Sequence, residues 1–249
     1  MRKRVLVTGG AKGVGAAIVT NLAAAGFDVD FTYRNSGAEA QALIAALRAS
    51  APDARVTAQP LDLAETGSLD IFAEALEGEP YWGLVHNAGQ PYDVLAAMMA
   101  QDKAEAVMQV NFWSLTRLAK SLLRGMIRAR GGRIVVIGSV AALQGNPGNA
   151  AYAASKGALL SYCRTLAIES AKRGITVNYV APGFIDTEMM APYAAYRAKM
   201  ETQIPAGRFA APGDVAALVG FLMGPGAGYI TGAVLPVDGG LTAMTGVHR

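Results

Sequence analysis

The chain has 249 residues, and its 22 Lys and Arg residues against 19 Asp and Glu give a formal net charge of +3. Because these cations form no dense cluster interleaved with aromatic side chains, the composition argues against a nucleic-acid partner. Hydrophobic residues make up 52% of the chain, but no apolar run is long enough to span a membrane or to form the core of a signal peptide. We therefore expect no membrane partner, and we expect the protein in the cytoplasm.

The few charged residues, the single cysteine and the two histidines further limit the kinds of protein that this chain can be. Only 16% of the residues are charged, which suits a parallel sheet buried on both faces and an oligomer that hides helix faces from water. The single cysteine, Cys163, cannot form an internal disulfide, so we expect a buried or half-buried thiol. His86 and His248 have no Cys or carboxylate neighbours at metal-ligand spacing, so we expect no metal site.

Apolar strand-like runs alternate with helical patterns along the whole chain. The strand-like runs lie at residues 4–8, 28–33, 54–58, 82–87, 132–138, 175–181 and 232–237. The helical patterns lie at residues 16–24, 40–49, 68–75, 104–130, 150–172 and 214–223. This alternation predicts one α/β domain over residues 1–249, a Rossmann-type doubly wound sheet of about seven parallel strands with helices on both faces. The irregular stretch 182–212 holds a weak helical pattern at 192–202, and we expect residues 184–212 to form a substrate lid.

A glycine-rich turn joins the first strand-like run to the first helical pattern. It reads Thr8-Gly9-Gly10-Ala11-Lys12-Gly13-Val14-Gly15. Strand, turn and helix in this order are what a nucleotide-binding turn requires, because glycines let the backbone approach a pyrophosphate and the first helical N–H groups face its charge. An ordinary glycine-rich loop is the alternative.

The end of the second strand indicates which nucleotide is bound. Enzymes that prefer NAD carry an Asp or Glu about twenty residues beyond the glycines, where it binds the ribose hydroxyls. Here Tyr33 and Arg34 stand at that end of the strand. A guanidinium pairs with a 2′-phosphate and not with a neutral diol, so Arg34, with Lys12 as a second cation, favours NADP(H). The alternatives are that Asp30 binds the ribose, although it falls about three positions early, or that Arg34 is a solvated surface charge.

Tyr152 and Lys156 lie in one helical pattern. Ser139, thirteen residues before Tyr152, ends a strand-like run. Residues four apart share a helix face, so a phenol and an ammonium can converge on one point. A cation beside a tyrosine lowers the pKa of the phenol, which would make Tyr152 a general acid–base. For an isolated match, the alternative is an exposed helix pair with a half-buried tyrosine.

Taken together, these motifs resemble the ordered motif set of the short-chain dehydrogenase/reductase family. The segments that carry the resemblance are Thr8–Gly15, Asn87-Ala88-Gly89, Asn111, Ser139, Tyr152 with Lys156, and Pro182-Gly183. The likeness extends over essentially the whole chain. Within the family it is greatest to the 3-oxoacyl-(acyl-carrier-protein) reductases, through segments 132–158, 173–178, 180–185 and 229–232.

The resemblance implies the reaction and the role of each catalytic residue. The protein would be a homotetramer that uses NADPH to reduce a 3-oxoacyl thioester, held by acyl carrier protein, to the 3-hydroxyacyl form. Ser139 and Tyr152 would bind the carbonyl oxygen, and Tyr152 would give it a proton. Lys156 would hold the nicotinamide ribose and lower the pKa of Tyr152. Asn111 resembles the residue that continues a water-linked proton relay to Lys156, and the alternative is a helix-interior Asn bonded to backbone.

The cofactor contacts follow from the same resemblance. They are expected at Gly9, Lys12, Gly13, Val14, Gly15, Arg34, Asp62, Leu63, Asn87, Ala88, Gly89, Tyr152, Lys156, Pro182, Gly183, Ile185 and Thr187. Asp62 resembles a residue that hydrogen-bonds adenine, but it could equally cap the following helix. The chain departs from the family at His86, where Asn is more frequent.

Arg130 and Arg173 match positions that face the carrier protein in related reductases. Arg128, Arg130 and Arg133 close one helical pattern and Lys172 with Arg173 closes another, which would place these cations near the active-site mouth, where they would attract an acidic partner. The alternative is that cations simply favour helix C-termini through the backbone dipole.

The substrate remains open on sequence alone. Methionines at positions 98, 99, 189 and 190 could line an acyl channel or could fill gaps in the core. The same chemistry could serve another ketone or alcohol, such as an acyl-CoA, a polyketide or a sugar. A catalytically silent nucleotide-binding regulator is a further alternative.

Overall fold

Valine-, leucine- and isoleucine-rich segments pair side by side into one parallel sheet in the computed structural model, which describes residues 2–244 and so leaves out His248. The strands are β1 (Arg4–Thr8), β2 (Asp28–Tyr33), β3 (Val56–Pro60), β4 (Tyr81–His86), β5 (Gly132–Ile137), β6 (Ile175–Pro182) and β7 (Val234–Val237). Their order is β3-β2-β1-β4-β5-β6-β7. The chain winds outward from β1 and then crosses back to β4, so the carboxyl ends of these two strands border the crevice where such sheets bind ligands.

Helices cover both faces of the sheet, which confirms the predicted fold class. The α-helices are α1 (Gly13–Ala24), α2 (Gly37–Ser50), α3 (Thr66–Ala75), α4 (Gln101–Met108), α5 (Ser114–Ala129), α6 (Ala150–Ser170), α7 (Arg197–Glu201) and α8 (Pro212–Met223). Leu22 and Val219 belong to the core between the sheet and α1, α2 and α8. Leu118 and the buried Cys163 belong to the core on the opposite face, under α3, α5 and α6. Among the described residues, no helix is long and apolar enough to cross a membrane.

The helical pattern at 104–130 is not one helix. A π-helical turn, Gln109–Trp113, separates α4 from α5. Such turns occur often at functional sites because they change which side chains face inward, and here the side chain of Asn111 is fully buried. Arg133, which we expected at the end of this pattern, instead lies in β5 and is also buried.

Four strands meet at the carboxylate of Asp30, near the amino edge of the sheet. Asp30 of β2 accepts hydrogen bonds from Arg4 of β1, from Thr57 of β3 and, over 2.6 Å, from the hydroxyl of Tyr81 of β4. Burial alone raises the pKa of Asp30, but these hydrogen bonds outweigh burial and hold the pKa below its ordinary value. Asp30 is therefore a structural carboxylate, and the alternative that it binds a ribose at the carboxyl edge is wrong.

The Asp30→Asn variant should lose about 1–3 kcal/mol of unfolding free energy at neutral pH, because the amide cannot replace three bonds to a carboxylate. Since the folded pKa lies below the unfolded one, this stabilisation is present above the unfolded pKa and disappears as the pH falls through the folded pKa. Chemical denaturation at neutral pH and at about pH 3 should show that the difference in unfolding free energy between the wild type and the variant shrinks in acid.

The matched control is Asp53→Asn. Asp53 pairs with Arg2 at 3.3 Å, but its side chain is 83% exposed, and such surface pairs contribute little. This control should change the unfolding free energy negligibly at either pH. A loss in Asp30→Asn that is equal at both pH values would contradict a role for the ionised carboxylate.

Candidate active site

A cleft of about 1410 Å³ lies at the carboxyl edge of the sheet, bordered by the ends of β1, β4, β5 and β6. Common small-ligand sites occupy about 300–1,000 Å³, so this cleft has room for a dinucleotide and a second molecule. All of the residues expected to contact a cofactor line it, together with Ser139. Within residues 2–244, no three His, Cys, Asp or Glu side chains lie together as a metal-binding group.

The glycine turn leaves the first turn of α1 open toward the cleft. Gly9 and Gly13 have φ angles of +66° and +52°, which favour glycine. A Cβ atom at Gly15 would lie 1.9 Å from the carbonyl oxygen of Gly9, so only glycine permits this close approach. The N-cap residue, Lys12, makes no side-chain cap. The first N–H groups of α1 are therefore available to an anion, and this cradle fits a dinucleotide pyrophosphate.

Asn87 fastens the glycine turn to the end of β4. Its side-chain amide donates to the carbonyl oxygens of Thr8 and Gly9 at 3.2 and 2.9 Å. The hydroxyl of Thr8 accepts from the backbone N–H groups of Asn87 and Ala88, both at 3.1 Å. The polar groups at the ends of β1 and β4 thus satisfy one another and fix the relative position of the two loops.

His86, the departure from the family pattern, belongs to the same network. Its Nε2 lies 3.0 Å from the carbonyl oxygen of Asn111 and its Nδ1 lies 3.2 Å from the hydroxyl of Thr8. A carbonyl can only accept, so Nε2 carries the proton and Nδ1 accepts from the hydroxyl. Burial, with the nearby charge of Lys156, lowers the pKa of His86 to about 3. His86 is therefore a neutral link between β1, β4 and the π-helical turn.

The expected 2′-phosphate end of the cleft carries charges of both signs. Arg34 is exposed at the end of β2 and makes no ion pair with the described residues, whereas Lys12 lies 2.7 Å from Glu39 and 3.4 Å from Glu188. Sequence reasoning missed Glu39 because it follows no motif. Asp62 accepts from the N–H of Ala64 at 2.9 Å, in a turn that ends before α3 begins, so it does not cap that helix.

Ser139, Tyr152 and Lys156 meet where β5 ends and α6 begins. The hydroxyl of Ser139 lies near enough to Tyr152 to affect the pKa of its phenol, and it accepts a hydrogen bond from the N–H of Ala141 at 3.1 Å. The Nζ of Lys156 donates to the carbonyl oxygen of Ile137 at 3.0 Å and lies 5.6 Å from the centre of the Tyr152 ring. A hydroxyl pair and a buried cation therefore face one point of the cleft.

The pKa values of this group depend mainly on burial. Burial raises the pKa of Tyr152, the nearby hydroxyl of Ser139 opposes that rise only in part, and the charge of Asp93 adds to it. Burial also lowers the pKa of Lys156 to about 8. Lys156 is not among the causes of the Tyr152 shift, so its lowering of the Tyr152 pKa stays a prediction. The phenol is protonated at neutral pH, which is the state that a proton donor requires.

Asn111 does not line the cleft but makes hydrogen bonds to residues next to it. Its side-chain amide donates to the carbonyl oxygen of Gln90 at 3.1 Å and to the hydroxyl of Ser155 at 2.9 Å, and its Oδ1 accepts from the N–H of Gln90 at 2.8 Å. This side chain therefore holds the segment after β4 against α6. The place of Asn111 in a proton relay stays a prediction.

The predicted lid contains a 3₁₀ helix, Glu188–Tyr196, followed by α7. Met189 and Met190 line the cleft, as does Met200. Met98 and Met99 lie outside it, and Met98 is 72% exposed, so they do not line a channel.

Asp93 connects three segments at the mouth of the cleft. Its carboxylate accepts from the hydroxyl of Tyr193 in the lid and from the side-chain amide of Asn149, just before α6. Sequence reasoning missed Asp93 because the segment after β4 contains no motif beyond residues 87–89.

The basic patch of Arg130 and Arg173 lies far from this mouth. Helices α5 and α6 both run from the carboxyl edge of the sheet back to the amino edge, where the next strand starts. Arg130 follows α5, Arg173 follows α6, and both are exposed at the amino edge. They are neighbours there, because Gly174, the residue after Arg173, packs against the backbone of Arg130. Arg133 packs its guanidinium over the ring of Trp82 at 4.8 Å. The prediction that these cations lie at the active-site mouth of their own chain is therefore wrong.

Comparisons with known proteins agree with this site. A family model described as Enoyl-(Acyl carrier protein) reductase matches residues 9–242. The 3-oxoacyl-(acyl-carrier-protein) reductase FabG of Pseudomonas aeruginosa is 41% identical over 243 residues, covering 96% of this chain and 97% of that protein. A short-chain dehydrogenase/reductase from Serratia marcescens is 35% identical, with a TM-score of 0.89 and coverage of 96% of this chain and 98% of that one.

A structure of a variant actinorhodin polyketide ketoreductase with NADPH is 29% identical, with a TM-score of 0.90 and coverage of 98% of each chain. The matched region contains the glycine turn, Ser139, Tyr152 and Lys156, which meet in one cleft. The chain therefore belongs to the short-chain dehydrogenase/reductase family of oxidoreductases.

Proposed function

We propose that this protein reduces a 3-oxoacyl thioester to its 3-hydroxyacyl form with NADPH, and that acyl carrier protein holds the thioester, as in fatty-acid synthesis. The observation that carries the proposal is that Ser139, Tyr152 and Lys156 line the same cleft as an open pyrophosphate cradle. The 41% identity to a 3-oxoacyl-(acyl-carrier-protein) reductase supports the substrate. The protein works in the cytoplasm.

The glycine turn and Lys156 would hold NADPH in the cleft, and the bound cofactor would supply the hydride that the carbonyl carbon needs. The hydroxyl groups of Ser139 and Tyr152 donate hydrogen bonds to the carbonyl oxygen and stabilise the negative charge that develops on it. Tyr152 then gives its proton to that oxygen. With a pKa of about 8, Lys156 is mostly cationic at neutral pH, so it stabilises the phenolate that remains and can bind the ribose hydroxyls.

The substrate class can be tested with a panel of thioesters. Purified protein and NADPH would be incubated with acetoacetyl groups on carrier protein, on CoA and on N-acetylcysteamine, and with a crotonyl thioester as an enoyl control. NADPH consumption should be fastest with the carrier-bound 3-oxo substrate. Turnover of the crotonyl thioester alone would favour enoyl reduction, and turnover of none would contradict the proposal.

The Tyr152→Phe variant should lower kcat by about 10²–10⁴-fold, because the phenyl ring keeps the packing but has no proton to give. The dissociation constant for NADPH, measured by NADPH fluorescence, should change by no more than a few-fold. Tyr162→Phe is the matched control, since Tyr162 lies in the same helix and its ring packs on Phe112. Near-wild-type turnover in Tyr152→Phe would reject Tyr152 as the acid.

Two cations, Arg34 and Lys12, could bind the 2′-phosphate of NADP(H). Lys12 is already paired with Glu39 and Glu188, so Arg34 recognises the phosphate. The Arg34→Asp variant should weaken NADPH binding by about 10–100-fold, the usual effect of losing charge-assisted bonds. NADH binding should improve, because a carboxylate accepts from the ribose diol.

Arg48→Asp controls for the change in net charge, since Arg48 is exposed in the last turn of α2 and outside the cleft. It should leave the ratio of the NADPH and NADH dissociation constants unchanged. An unchanged ratio in Arg34→Asp would mean that the phosphate is bound elsewhere in the cleft.

The carrier protein docks at the Arg130 and Arg173 patch of a homotetramer. Because this patch lies at the opposite edge of the sheet from the cleft of the same chain, it can serve only the cleft of a neighbouring chain. Acidic carrier proteins would approach it faster at low ionic strength.

The double variant Arg130→Glu, Arg173→Glu should raise KM for the carrier-bound substrate about tenfold or more at low salt, because like charges then repel. The N-acetylcysteamine thioester should be affected little. Arg2→Glu, Arg48→Glu makes the same change in net charge elsewhere and should leave both KM values near the wild type. Equal losses on both substrates, or none, would remove this patch from carrier docking.

A further inference from the structure

Tyr179 places a hydroxyl group directly behind the reacting groups. It lies within β6, its side chain is fully buried, and it belongs to no motif of the sequence. Its hydroxyl accepts from the N–H of Ser139 at 3.0 Å. Its own proton faces the carbonyl oxygens of Ser139 and Lys156, at 3.3 and 3.2 Å. One hydroxyl therefore contacts the backbone of two residues on which the proposed reaction depends.

The absence of a side chain at Gly138 makes this contact possible. A Cβ atom at position 138 would lie 1.7 Å from Cζ and 2.0 Å from the hydroxyl oxygen of Tyr179. The phenol ring thus fills the space that any other residue would occupy at the end of β5. Gly138 and Tyr179 form a complementary pair.

The contact bridges the point where regular structure ends. The last ladder bond between β5 and β6 on this side joins the N–H of Gly138 to Val180, and Ser139 begins the loop that leads toward α6. Without the Tyr179 hydroxyl, the N–H of Ser139 would have no strand partner at this position. The same hydroxyl reaches Lys156 in α6, so it spans the distance between the loop and the helix.

We propose that Tyr179 is a positioning residue, whose hydroxyl fixes the backbone of Ser139 relative to that of Lys156 and so aligns Ser139 with Tyr152 for carbonyl reduction. This inference rests on the proposed function. Small displacements of reacting groups can cost about 10²-fold in rate. Loss of the hydroxyl should therefore affect the chemical step and not the binding of the cofactor, because this hydroxyl contacts neither the glycine turn nor the loop after β4.

The test compares Tyr179→Phe with Tyr81→Phe. Tyr81 is also a buried strand tyrosine, and its hydroxyl also has a buried partner, Asp30 at 2.6 Å, but it lies at the amino edge of the sheet. Both variants remove one hydroxyl and keep the ring. The measurements are the melting temperature, the dissociation constant for NADPH, kcat and KM for acetoacetyl thioester, and the kinetic isotope effect with NADPH deuterated at the transferred position.

Tyr179→Phe should lower kcat about tenfold or more, keep the NADPH dissociation constant and KM within about threefold, and increase the deuterium isotope effect on kcat because hydride transfer becomes slower. Tyr81→Phe should lower the melting temperature at least as much but keep kcat and the isotope effect. Equal kcat values for the two folded variants would reduce Tyr179 to a packing residue. Wild-type protein that reduces no ketone would overturn the proposed function, and this inference with it.

Discussion

A parallel sheet that is covered by helices on both faces has its connecting loops at the two ends of its strands, the amino edge and the carboxyl edge. In this protein the amino edge carries a structural hydrogen-bond network and the carboxyl edge carries the cleft. At the amino edge, Asp30 joins four strands through Arg4, Thr57 and Tyr81. At the carboxyl edge, the glycine turn and the loop after β4 open a cleft. Stability and chemistry are thus placed at opposite ends of the same strands.

The carboxyl edge is organised by hydrogen bonds among side chains that follow the central strands. Thr8 links the loops after β1 and β4, and His86 extends this link to the π-helical turn. Because these groups satisfy one another, they can be buried without the cost of unpaired polar atoms. Ser139, Tyr152 and Lys156 face the same cleft from the neighbouring strand and helix.

Burial determines the electrostatics of the reacting groups. It holds Tyr152 in the protonated form and lowers the pKa of Lys156 to about 8. A neutral acid beside a cation close to its titration range is suited to giving a proton to a developing alkoxide and stabilising the phenolate that remains. The lid lines the cleft with three methionines, Met189, Met190 and Met200, and with the charged side chain of Glu188.

The sequence alone was sufficient for features that depend on local spacing. Alternating strand and helix patterns predicted the sheet, the glycine turn predicted the cradle, and the four-residue spacing of Tyr152 and Lys156 predicted a shared helix face. Tertiary structure alone decided the positions and pKa values that depend on how distant segments pack. The direction of α5 and α6 places Arg130 and Arg173 at the edge opposite the cleft, and burial raises the pKa of Tyr152. The contact of Tyr179 with Ser139 joins residues forty positions apart, and no local pattern records a contact that exists only when distant segments pack together.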